Sequence, residues 1–202
     1  EISVLRSLNR LGSNIRPWLL LHRSAHLKRW DGEVWERLKA LKDDGLIQGL
    51  GVSVQSPAEA KDSIEELDVG LMQLPFNILD WRWRDSGLLA QLTQRPDLEV
   101  HARSIYLQGV LLRKKQDWPV VEGFEPDNVI NSLEKCANAL NRESIADLCL
   151  AYVRSMSWVD GVIIGMEQLE QLELNAHLFA QPALSEEEAQ FVEESLPLVP
   201  EA

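Results

Sequence analysis

"PWLLLHRSAH", residues 17–26, carries an apolar run that ends on an imidazole. Pro17 bounds the run, Trp18, Leu19, Leu20 and Leu21 suit an interior, and His22 and Arg23 follow with no turn residue between. A short apolar run bounded in this way reads as a strand. Because it does not alternate with polar residues, both of its faces are expected to be covered. His22 is therefore delivered to a strand end, and the fold depends on whether other strands end in the same manner.

Outward from this run, helix and strand alternate. Upstream, "EISVLRSLNRLG" (1–12) has Val4, Leu5, Leu8 and Leu11 at helical spacing and stops at Gly12. Downstream, "DGEVWERLKALKDDG" (31–45) places Val34, Trp35, Leu38 and Leu41 on one helical face. "LIQGLGVS" (46–53) is a strand ending at Ser53, and "SPAEAKDSIEEL" (56–67) opens a helix with Ser56 as N-cap and Pro57 at the first position. "DVGLMQLPFN" (68–77) is a strand, "DSGLLAQLTQR" (85–95) a helix and "LEVHARS" (98–104) a strand. An irregular stretch rich in Trp, Pro and Gly runs from about 113 to 126, before a long helical region. The second half of that region carries one stripe of Ile145, Leu148, Cys149, Tyr152, Val153 and Met156. "VDGVIIG" (159–165) is the last strand, and "SEEEAQFVEESL" (185–196) a closing helix whose Ser185 and Glu188 form a capping box.

Short loops joining about five such strands to helices imply βα units and a parallel sheet. No Gly-rich phosphate fingerprint follows any strand, which weakens a doubly wound sheet. A (β/α)8 barrel takes eight strands and about 250 residues. The chain therefore reads as an α/β protein with about five βα units of a TIM barrel, residues 1–202 forming a single domain that is the C-terminal portion of that barrel.

Composition narrows the function. The chain has 202 residues, 45% hydrophobic and 26% charged, with net charge −12. So acidic a surface argues against a sequence-independent grip on nucleic acid or on anionic lipid. No apolar run approaches the roughly 20 residues that span a bilayer, and no charged-then-apolar export signal opens the chain. Cys136 and Cys149 make neither a disulfide framework nor a zinc site. Cys149 lies in an apolar stripe and reads as a small core residue, and a reducing cytoplasm is the expected compartment. No metal is expected.

In a parallel α/β protein, chemistry gathers at the carboxyl ends of the strands. Those ends carry His22, Ser53, Gln73 with Asn77, Arg103 with Ser104, and Gly165. The order of these signals resembles the aldo/keto reductases. "SLNRLGSNIRPWLLLH" is similar to that family's helix and strand ending in its catalytic histidine, and "GLIQGLGVS" to the next strand. "DVGLMQLPFNILD" is similar to the strand bearing a glutamine that holds the nicotinamide carboxamide, and "VDGVIIGMEQLEQLELN" to the closing strand with its cofactor-clamping loop and helix. The resemblance covers nearly the whole chain.

It implies hydride transfer from NADPH or NADH to a small aldehyde or ketone, with His22 orienting the carbonyl. Ser53 and Gln73 would bind the carboxamide. Ser104 and Leu107, in "ARSIYLQG", would lie at the pyrophosphate, and Gly165, Met166, Gln171 and Asn175 at the adenosine end. Arg103 stands where the family places a tyrosine that stacks on the nicotinamide, Val54 where it has Asn, and Gln171 where it keeps a base for the 2′-phosphate. The family's aspartate, tyrosine and lysine precede its histidine, yet residues 1–21 contain no Tyr and no Lys. The expectation is that the first strands are missing from this sequence, so that this span alone is not competent. Two consequences follow: a partial barrel would pair its open edges with another chain, and the alternative function is a catalytically deficient cofactor-binding module. Trp81, Trp83 and Trp118 are expected to wall the substrate pocket or, for the first two, to cover a helix start.

Overall fold

The structure, a computed structural model, describes residues 2–12, 15–119 and 125–197. Part of the irregular stretch, 120–124, lies outside the described residues. Five strands, β1 (Trp18–Leu21), β2 (Gly49–Ser53), β3 (Leu71–Pro75), β4 (Glu99–Arg103) and β5 (Gly161–Ile163), form one sheet in chain order. β1 pairs with β2, and β2 with β3, in parallel. Sequential parallel pairing needs a crossover after each strand, and the helices supply it. In chain order the helices are α1 (Ile2–Leu11), α2 (Glu33–Asp43), α3 (Pro57–Ile64), α4 (Arg82–Asp85), α5 (Leu88–Leu92), α6 (Pro126–Ala139), α7 (Ile145–Ser155), α8 (Leu169–Ala180) and α9 (Glu186–Ser195), and α2 to α7 lie in the connections between strands. Among the described residues no helix is long and apolar enough to cross a membrane.

The chain divides into two compact units. One comprises Glu1–Leu74 with Trp83–His101, the other Pro75–Arg82 with Ala102–Ala202.

In the first unit, glycines let the strands carry a large ring. A Cβ on Gly49 would come within 2.4 Å of the Trp18 ring, and one on Gly70 within 2.9 Å, so the indole lies across both. Trp35, Leu38 and Leu41 of α2 are buried, whereas Val34 remains exposed. α3 starts as its sequence requires, with Ser56 Oγ accepting from Glu59 N at 3.3 Å and Pro57 next in line. The helix expected over 85–95 is shorter: it is α5 alone, starting after Gly87, whose φ of 74° makes it a left-handed N-cap, and ending at Leu92. α1 forms but buries none of its residues.

The second unit is built on α7. Leu148, Cys149, Tyr152 and Val153 are buried, and Ile145 and Met156 are half-buried. Phe76 packs on Tyr152 with ring centroids 6.0 Å apart and meets Trp158 edge-on at 4.8 Å. The nearly buried Asp147 carboxylate is satisfied by Arg142 and by Glu143 N at 3.0 Å. Ser185 and Glu188 make the expected capping box at α9.

Candidate active site

Register aligns three strand ends of the first unit. Leu21 pairs with Val52 and Ser53 with Gln73, so His22, one residue past β1, comes level with both. Residues paired across a sheet point to the same face. His22 is exposed, Ser53 is only 7% exposed and Gln73 is half-buried. Val54 is completely buried, so the residue after Ser53 has no surface for a ligand. Asn77 is turned inward, its Oδ1 accepting from Leu79 N at 2.9 Å.

In the second unit, Ser104, Gly165, Met166, Gln171 and Asn175 line one cavity of about 650 Å³. Ligand pockets of cofactor size run about 300–1,000 Å³. Arg103 and Leu107 are not among its lining residues, and Leu107 is exposed. Burial lowers the pKa of Arg103, although a guanidinium stays charged in any ordinary solution. Phe76 N donates to the Arg103 carbonyl at 2.9 Å.

Tyr106, Gln108 and Arg113 also line the cavity, and sequence reasoning missed them. The loop after β4 takes left-handed backbone at Ser104 (φ 60°), Leu107 (φ 48°) and Gln108 (φ 53°), which reverses inside and outside within a few residues. Such turns on non-glycine residues leave no periodic trace. The signal that existed was chemical: a phenol two residues after Ser104. Its hydroxyl donates to Asn175 Oδ1 at 3.1 Å, and burial holds its pKa well above the ordinary tyrosine value.

The wall at α8 is closed on itself. Gln171 Oε1 accepts from Glu167 N at 2.7 Å and Gln168 N at 3.2 Å, and the Gln168 side chain accepts from the Gln171 backbone. The donor set suits a dinucleotide, with the Arg113 guanidinium and the Ser104 and Tyr106 hydroxyls for phosphate and the amides of Gln108, Gln171 and Asn175 for ribose and base.

The tryptophans behave differently from one another. Trp83 is completely buried and offers a ligand no surface, while Trp81 is half-buried. Trp118 is 7% exposed, and its indole donates to the Arg113 carbonyl at 3.2 Å. It props the loop that carries Arg113.

The profile of the Aldo/keto reductase family matches residues 1–197. The uncharacterized oxidoreductase YqkF of Bacillus subtilis is 26% identical over 196 residues. The match takes in 92% of this chain and 62% of that protein, so the chain spans less than two thirds of its relative's length. Among solved structures, an aldo-keto reductase of Bacillus halodurans superposes with a TM-score of 0.76 at 22% identity, over 98% of this chain and 68% of that one. A glycerol dehydrogenase of Gluconobacter oxydans gives 0.76 at 20% identity, over 100% of this chain and 65% of the other. At such identities the superpositions speak for the fold, a parallel α/β architecture shared with barrel enzymes. With the profile covering nearly every residue, the chain belongs to the aldo/keto reductase family.

Proposed function

We propose that this chain is the cofactor-binding and substrate-orienting part of a reductase that reduces an aldehyde or ketone with NADPH or NADH. The observation that carries the reading is the row of His22, Ser53 and Gln73 set level by strand register. A histidine exposed at a strand end can aim a ring N–H at a carbonyl oxygen, where negative charge develops as the carbonyl is reduced. Ser53 and Gln73, on the neighbouring strands, offer a hydroxyl and an amide to a carboxamide. The cavity between the loop after β4 and α8 is assigned to the phosphates and the adenosine. When bound, the reduced nicotinamide supplies the hydride.

His22→Ala is expected to lower kcat roughly a hundredfold, the usual cost of removing one such donor, while leaving cofactor affinity within a few-fold. The measurement follows oxidation of the reduced cofactor by the full-length protein across a panel of aldehydes and ketones. Unchanged turnover would remove His22 from its role. Buried Val54, which cannot touch the carboxamide, favours a second reading, a catalytically deficient binding module. Tight cofactor binding with no turnover of any carbonyl would decide for that module.

A further inference from the structure

The cavity of the second unit holds a charge balance that discriminates between dinucleotides. Among its described lining residues one side chain is a cation, Arg113, and one is an anion, Glu167. Lys114 and Lys115 follow Arg113 but line no part of the cavity, and Lys115 is paired with Asp127. From Gly165 to Ala176 the chain contains Glu167, Glu170 and Glu173 and no Lys or Arg. Residues 120–124 contain none either.

A helix N-terminus without capping side chains would attract a phosphate through its N–H groups. Here three N–H groups at this end are already engaged: Glu167 N and Gln168 N donate to Gln171 Oε1, and Gln171 N donates to the Gln168 side chain. A phosphate arriving there would have to displace a neutral amide already in place, beside carboxylates that repel it. Arg113 is one cation, and the pyrophosphate common to all nicotinamide dinucleotides can use it. A further ribose phosphate, with a charge of about −1.5 to −2, then finds no second cation among the described lining residues. A ribose hydroxyl, by contrast, can donate to a carboxylate such as Glu167.

We infer that this cavity selects the dinucleotide lacking a ribose phosphate, NADH over NADPH; the inference rests on the cofactor reading above. Gln171 and Glu167 are the specificity-determining residues. Arg113 serves both dinucleotides alike.

The test is a titration of the full chain with NADH and with NADPH, each read by quenching of tryptophan fluorescence, with thermal melting as a check on folding. NADH is expected to bind at least about tenfold tighter. Gln171→Arg should narrow that ratio about tenfold by strengthening NADPH, and Arg113→Gln should weaken both by a similar factor. NADPH binding as tightly as NADH, or Arg113→Gln weakening NADPH alone, overturns the selectivity while leaving the cofactor reading intact. If neither dinucleotide binds, the cofactor reading falls, and this inference falls with it.

Discussion

Cys149 has no exposed surface, and burial pushes its thiol from the ordinary 9.0 up to about 12. The unfolded chain ionises this thiol first, so between pH 9 and 12 it holds fewer protons than the folded one, and stability falls as pH rises. The full effect of such a shift is about 4 kcal/mol, gained below that window and lost across it. Urea unfolding midpoints should therefore drop through this range, and Cys149→Ala should flatten the slope. Tyr106, raised by the same cause, steepens the upper part of the decline. A slope unchanged in Cys149→Ala would place the alkaline weakness elsewhere. At this scale some roles are written in the local chain. Ser56 and Ser185 cap helices because a short side-chain oxygen reaches an N–H three residues on, whatever the rest of the protein does. Others are not. Leu107 and Tyr106 are neighbours, and left-handed backbone decides which of them lines the cavity.

At the scale of elements, Arg95 joins the segment after α3 to the turn before β4. Its guanidinium donates to Ile64 O at 2.6 Å and Val69 O at 2.9 Å, and pairs with Asp97. Arg95 is itself only 8% exposed. Lysine cannot span these acceptors, because its three donors radiate from one atom. Arg95→Lys should cost about 2 kcal/mol, the penalty for leaving a buried carbonyl unpaired. The check is urea unfolding, with a lower midpoint and an unchanged denaturant slope. A loss of a few tenths would mean that water satisfies those carbonyls. The strands were legible as elements, since most are apolar runs between turn residues and β4 alternates apolar with polar. So were the polar residues His22, Ser53 and Gln73 toward the carboxyl ends of β1, β2 and β3. Helix lengths were less so: the helix read over 85–95 begins only after Gly87, because its φ of 74° does not appear in the letters. The packing of Trp18 over Gly49 and Gly70 was equally hidden, as it needs three strands side by side.

For the whole molecule, the net charge of −12 sets a self-repulsion that salt screens. Raising salt from a few millimolar to about 0.1 M, where the screening length is about 10 Å, should raise the melting temperature by about 2 °C. A fall would show that ion pairs such as Arg142–Asp147 outweigh the repulsion. What the sequence determined by itself was the alternation of strand and helix, the caps, and the identity of the residues at strand ends. Those follow from hydrophobic period and from hydrogen bonds made within a few residues. Tertiary structure alone decided that His22, Ser53 and Gln73 stand level, that Val54 and Trp83 are sealed inside, and that Tyr106 and Arg113 share a cavity with α8. Register and burial arise between segments distant in the chain, and a one-residue slip in pairing would change them without changing a letter of the sequence.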